Sequence, residues 1–191
     1  MPATPALSRV AFRVPLAWAR VSAQIRHSVL VIILESSGGL PAIRRHSYDD
    51  RAVQLLVGEM ADDLASLYGP GRYPPQDPAK WAPPEGTMLV AWSGEVPVGC
   101  GGFVRHDAVT AEVKRMFVRA GYRRLGVARL LLRQLDEAAA RLGYRSLVLE
   151  TGTLQLAAQA LYREAGFRET PCWPPHDGDP TSLCFSRGVR T

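Results

Sequence analysis

The stretch Ala111-Glu112-Val113-Lys114-Arg115-Met116-Phe117-Val118, followed by Ala120-Gly121 and then Arg123-Arg124-Leu125-Gly126-Val127-Ala128, decides the architecture of this chain. The β-branched and aromatic content of 111–118 suits a buried or half-buried strand. Ala120-Gly121 is a turn signal. From about Val127 to Leu142 the apolar residues Val127, Leu130, Leu131, Leu135, Ala138, Ala139 and Leu142 recur at three- and four-residue spacing, one face of a helix.

Such a junction favours anions. The first N–H groups of a helix have no partner within it, and the aligned peptide dipoles leave partial positive charge at that end. A strand–loop–helix junction is therefore a natural phosphate site. Gly126 removes a Cβ where a phosphate approaches the main chain, and Ala128 keeps the next turn slim. Arg123 and Arg124 add fixed charge with forked donors. Segment 112–145 carries nine Lys and Arg against three Asp and Glu, which concentrates positive potential here. An ordinary solvated basic helix start fits the same residues, since a single glycine loop is a weak signal.

The order of these residues says more. Arg123-x-x-Gly126-x-Ala128, between an apolar strand and an amphipathic helix, resembles the acyl-CoA pyrophosphate loop of the GNAT N-acetyltransferase superfamily. Downstream, Ala158-x-x-Leu161-Tyr162-x-x-x-Gly166-Phe167 resembles the second signature of that superfamily. The resemblance is strong over 98–168, weaker over 41–97 and 169–187, and absent from 1–38. It implies acetyl-CoA as acyl donor, held by the main chain and side chains of Arg123, Arg124, Leu125, Gly126, Val127 and Ala128. It further implies that the pantetheine arm lies along a splayed Met116-Phe117-Val118 strand, whose amide serves as oxyanion donor. Gln155, where relatives often carry Asn, would reach the pantetheine amides. Glu112, eleven residues before Arg123, falls where the superfamily often has its general base. A salt bridge to Lys114, two residues on along the same strand face, is the competing role. Tyr162 matches the tyrosine that acts as general acid on the thiolate; a buried tyrosine satisfied by backbone is its alternative.

The remaining chain reads as one mixed α/β sheet. Pro41 to Arg45 is strand-like, and Asp49-Asp50 starts a helix over about Ala52–Leu67 that Tyr68-Gly69-Pro70-Gly71 stops. Residues 69–86 form a Pro/Gly-rich loop; by resemblance, Tyr68, Tyr73 and Trp81 border the acceptor, with aromatic packing as the alternative. Thr87–Trp92 and Pro97–Val104 form a hairpin around Ser93-Gly94-Glu95, and Gly99, Gly101 and Gly102 predict a bulge or close backbone approach. Arg145–Thr151, after the helix, pairs parallel to 111–118. A short helix over about Leu156–Ala165 and a strand at Leu183-Cys184-Phe185 complete the series. The fold is thus a mixed α/β sheet with helices on both faces, and the resemblance implies a mostly antiparallel sheet whose parallel strand pair lies at the acyl-CoA cleft. By the same resemblance, segment 172–182 would reach over the acceptor, with Trp173, His176 and Asp179 as candidate specificity residues; Asp179-Pro180 equally suits a turn.

A length of 191 residues suits a single core. We divide it into an extension over 1–38, expected to be poorly ordered, and a domain over 39–191. The extension has Arg9, Arg13, Arg20 and Arg26 with no acidic residue before Glu35, a transit-peptide-like composition. Its apolar run Val29–Leu34 is too short to span a bilayer and suits an extra edge strand. Of the net charge of +5, the first 40 residues carry +3, so the pI does not argue for nucleic acid. Cys100, Cys172 and Cys184, with no metal or CxxC spacing, read as reduced thiols in a cytoplasmic protein. His27, His46, His106 and His176 are scattered, and no metal site is expected.

These readings favour transfer of an acetyl group from acetyl-CoA to a primary amine of a small molecule, without membrane or nucleic-acid partners. Homodimers are common among such relatives. Transfer to a protein lysine or N-terminus, and acyl-CoA sensing without catalysis, are the alternatives.

Overall fold

The computed structural model describes residues 41–71 and 76–190. The extension over 1–38, the edge strand at Val29–Leu34 and Tyr73 lie outside the described residues.

The elements follow the periodicities of the sequence. In chain order they are β1 (Ala42–His46), α1 (Arg51–Tyr68), a 3-10 turn (Pro78–Trp81), β2 (Gly86–Ser93), β3 (Val96–Arg105) and β4 (Thr110–Val118). A second 3-10 turn (Ala120–Tyr122), α2 (Val127–Arg141), β5 (Ser146–Gly152), α3 (Leu156–Glu164), β6 (Arg168–Thr170) and β7 (Ser182–Gly188) complete them. Among the described residues they build a seven-stranded sheet ordered β1-β2-β3-β4-β5-β7-β6. Every neighbouring pair is antiparallel except β4 and β5. That pair is joined through α2, the kind of crossover a parallel pair requires.

Both faces of the sheet are covered. Along β2, Leu89 and Ala91 enter a cluster with Val127, Leu131, Leu132 and Leu135 of α2. Met88 and Val90, pointing the other way, pack with Val53, Leu56, Val57 and Met60 of α1. Because each face of β2 meets a helix, its apolar residues run on without alternation. The buried stripe of α2 includes Leu132 and leaves Leu130 half-buried, a small rotation from the spacing read in the sequence. α1 starts at Asp50, whose carboxylate accepts the Ala52 amide at 2.9 Å.

Two sequence readings change in weight. Of the two roles open to Trp81, aromatic packing is the one observed: it is fully buried under α1, stacked on Tyr48 with centroids 4.5 Å apart. Gly102 makes that packing possible, since a Cβ there would lie 2.9 Å from the indole and 2.5 Å from the Thr87 carbonyl. The second change concerns the thiols. Cys172 and Cys184 are joined in a disulfide, their Cα atoms 5.1 Å apart. The connection after β6 folds back onto β7 and brings the sulfurs together, a pairing that a twelve-residue separation does not reveal. Cys100 alone is a free thiol, buried, and burial pushes its pKa up to about 12. The thiol-based argument for a reducing compartment therefore falls away.

One buried ion pair ties α2 to β7. Arg187 donates to Asp136, with one bond at 2.7 Å, and its guanidinium lies over the Phe167 ring at 4.3 Å. Both side chains are almost fully removed from solvent. Asp136→Ala strands that guanidinium, and urea unfolding is expected to show a loss of about 3–5 kcal/mol. Adding Arg187→Met to the same chain is expected to recover most of it, because no buried charge is then left unpaired. A second expectation concerns alkylation counted by mass spectrometry. The native protein leaves Cys100 unmodified near neutral pH, the chain unfolded without reductant gains one label, and the reduced chain gains three. Since the unfolded thiol ionises from an ordinary 9.0 and the folded one keeps its proton, stability from this group declines as pH rises between those values.

Candidate active site

The parallel pairing of β4 and β5 ends at Val113 opposite Leu149. Beyond it β4 follows β3 to Val118, while β5 follows β7 to Gly152. Residues 114–118 and 150–152 thus diverge, and no β5 residue pairs with the edge of Met116, Phe117 and Val118. A bulge aims that edge. Gly102 is opposite Lys114 and Cys100 opposite Phe117, so β4 holds one residue more than β3, with Arg115 at φ 59°. The extra residue reverses the alternation. Ala111 and Val113 face α2 before the bulge, Met116 and Val118 do so after it, and Phe117 joins the α1 side. The glycines of β3 signalled this bulge in the sequence.

The exit of β4 runs directly into a helix start. After the 3-10 turn, Arg124 lies at φ 67° and Gly126 at φ 81°, the latter capping α2. Left-handed residues at the mouth of a helix turn successive amides towards one side. Among the described residues the N–H groups from Arg124 to Arg129 make no backbone hydrogen bond. Nothing stands within 4 Å of where a Gly126 Cβ would be. Glycine therefore serves the conformation and leaves the approach to the amides open. Leu125, Arg124 and Gly126 are exposed, Val127 is buried beneath them and Ala128 is half-buried.

Arg123 does not face this opening freely. Its Nε donates to the Val118 carbonyl at 2.8 Å, and its Nη2 pairs with Asp63 of α1. Arg119 forks onto Glu59 of the same helix at 2.8 and 2.7 Å. The sequence reading missed both acidic partners, which lie sixty residues away on the polar face of α1.

On the β5 arm, Tyr162 is buried edge-on against Phe167, centroids 5.8 Å apart. Burial, and after it the charge of Glu150, pushes its phenol well above the usual range, so the hydroxyl keeps its proton. Glu150, one residue past the last parallel pair, accepts the Ser182 hydroxyl at 2.7 Å. Gln155 precedes α3, and its Oε1 accepts the Thr151 hydroxyl at 3.1 Å. Gln159 donates to the Gly152 and Thr153 carbonyls at 3.1 and 2.9 Å. Tyr68 reaches this arm from the end of α1, its hydroxyl accepting the Leu154 amide at 2.8 Å.

Glu112 lies between Ala111 and Val113 and so projects to the α1 side. Its carboxylate pairs with Lys114 and is nearly buried, within the still-paired part of β4 opposite Val148. Trp173 packs on His106, centroids 5.1 Å apart, and His176 on Trp173 at 6.2 Å. The β6–β7 connection thus lies against the end of β3. Asp179 accepts from Thr181 through its amide and hydroxyl, which lowers its pKa and makes it a turn residue. Among the described residues no three His, Cys, Asp or Glu stand together as a metal site, and no helix is long and apolar enough to cross a membrane.

Comparison with known proteins bears on this arrangement. The family model described as Acetyltransferase (GNAT) family matches residues 57–167. An IAA acetyltransferase of Azospirillum brasilense is 35% identical over 146 residues, 76% of this chain and 95% of that protein. A GNAT-family acetyltransferase from Staphylococcus aureus Mu50 superposes with a TM-score of 0.63 at 20% identity, covering 78% of this chain and all of that one. A GNAT-family acetyltransferase from Elizabethkingia anophelis with acetyl-CoA bound has a TM-score of 0.56 at 20% identity, covering 78% and 97%. The solved structures share the path of the backbone, and the sequence likeness, which runs across the diverging strands and the glycine turn, gives the parentage: the chain belongs to the GNAT family of acyl-CoA-dependent acetyltransferases.

Proposed function

We propose that this chain moves the acetyl group of acetyl-CoA directly onto a primary amine of a small molecule. The observation that carries the proposal is the opening between β4 and β5, which runs without interruption into the bare amides at the start of α2. An extended arm with amides of its own fits beside Met116–Val118 as a further strand would, and a pyrophosphate at its end meets the Arg124–Ala128 turn. A small acceptor goes with the β6–β7 connection being held close to the sheet, by Trp173 against His106 and by the Cys172–Cys184 bond. A cytoplasmic place of action, where acyl-CoA is available, goes with this reading.

The chemistry needs a neutral amine, a stabilised oxyanion and a proton for the leaving sulfur. An N–H on the unpaired edge of β4 receives the oxyanion. As the amine nitrogen bonds to the acetyl carbon and the C–S bond breaks, Glu112 takes the amine proton, directly or through water. Tyr162, which enters the reaction protonated, gives its proton to the departing sulfur so that CoA leaves as the thiol, and the phenolate regains a proton from solvent before the next turnover. Lys114 holds the Glu112 carboxylate in place between turnovers.

Release of the CoA thiol across a panel of amines tests the reading; no release with any amine, together with no acetyl-CoA binding by calorimetry, overturns it. Tyr162→Phe is expected to lower kcat by about a hundredfold or more and to leave acetyl-CoA affinity intact. Glu112→Gln is expected to act similarly, and unchanged kcat with reduced stability would make Glu112 a partner of Lys114 only. Gly126→Val is expected to weaken acetyl-CoA binding about tenfold, because a β-branched residue resists φ 81° at a cost of about 1–2 kcal/mol.

A further inference from the structure

Past the last pair of Val113 with Leu149, the two strands of the opening share no hydrogen bond, so their separation is set by whatever touches both. α1 touches both. On the β4 side, Arg119 and Arg123 flank the 3-10 turn and reach Glu59 and Asp63, which are one helical turn apart. Arg123 at the same time holds the Val118 carbonyl, the last residue of β4, at 2.8 Å. The helix is thereby fastened to the strand end and to the first residue of the glycine turn.

On the β5 side, the final residue of α1 makes the contact. The Tyr68 ring lies so close over Gly152 that a Cβ there would be 2.0 Å from the hydroxyl. That hydroxyl accepts the Leu154 amide at 2.8 Å, the first turn beyond the strand. Glycine at 152 is thus required by Tyr68 and not by its own backbone. From behind, Gln159 grips the Gly152 and Thr153 carbonyls, so this arm is a firm seat for the far end of the helix. Between Glu59 and Tyr68 the helix rises about 14 Å, well beyond the roughly 5 Å that separates paired strands.

We propose that α1 is a crossbar that fixes the width of the β4–β5 opening, with Glu59, Asp63 and Tyr68 as positioning residues for the acyl-CoA arm that none of them touches. The inference rests on the acyl-CoA reading above. A helix fastened at both arms cannot be displaced on its acceptor-facing side without altering the donor cleft. Binding on the two sides is therefore linked through one rigid element.

The test is a double-mutant cycle on the full chain, read by calorimetric titration with acetyl-CoA. Glu59→Gln and Tyr68→Phe are each expected to weaken binding about threefold to tenfold, the effect of one lost ion pair or hydrogen bond. Together they are expected to be no worse than the poorer single variant, since a bar freed at one end no longer constrains the other. Strictly additive losses from these non-touching residues, or no loss from either, overturn the proposal. Exchanging the charges, Glu59→Arg with Arg119→Glu, is expected to restore affinity. Should the wild-type chain not bind acetyl-CoA at all, the functional reading fails and the crossbar is judged by hydrogen exchange alone. The Leu154 amide then exchanges faster in Glu59→Gln if the helix ties the arms, and an unchanged rate overturns the crossbar.

Discussion

Two strands that begin as a hydrogen-bonded pair and then part are the constraint on which the rest of this molecule depends. A sheet normally satisfies its backbone groups strand by strand, and groups left over cost free energy when they are removed from water. Here β4 and β5 remain paired for only four residues each. Past that point β3 and β7 continue to hold the outer edges, and the inner edges face one another across a gap. An extended ligand with its own donors and acceptors is the natural complement of such a gap. The cleft is in this sense a missing strand, and the fold supplies it without any dedicated side chain.

The bulge at Arg115 makes the gap usable. Without an extra residue, Met116 and Val118 would point to the α1 side and Phe117 to the α2 core, as the alternation of Ala111 and Val113 demands. With it, Phe117 closes the α1-side cluster around Cys100 and Met88, while Met116 and Val118 pack towards α2. Gly101 accommodates the shift, since a Cβ there would meet the Met116 sulfur at 2.3 Å. The strand thereby leaves the sheet and enters the glycine turn with its carbonyl at Val118 available to Arg123.

Local features of the molecule were legible in the sequence, and distant ones were not. The helix over 127–141, the hairpin around Gly94 and the β3 glycines follow from spacing and from the conformations that particular residues allow. The strand–turn–helix junction was legible for the same reason. Arg123 was not, because its charge is addressed to Asp63 sixty residues earlier, and no local rule says which cation an acidic helix face will meet. The Cys172–Cys184 bond and the burial of Trp81 under α1 likewise depend on where the chain returns. Glu112 falls between these cases. Its pairing with Lys114 was foreseeable from two-residue spacing, whereas its position below the opening depends on where the parallel pairing stops.

The two faces of the sheet divide the work unequally. The α2 face holds the larger apolar cluster, closed by the buried Arg187–Asp136 pair, and close-packed interiors of this kind resist deformation. The α1 face is secured by a smaller cluster together with ion pairs and one tyrosine hydroxyl at its margins. Contacts of that second kind are individually weak and partly hydrated, so they open at lower free energy than the core. Reaction at the gap needs the donor arm held rigidly and the acceptor admitted and released. A stiff layer behind the cleft and a pinned but yielding helix in front of it provide for both.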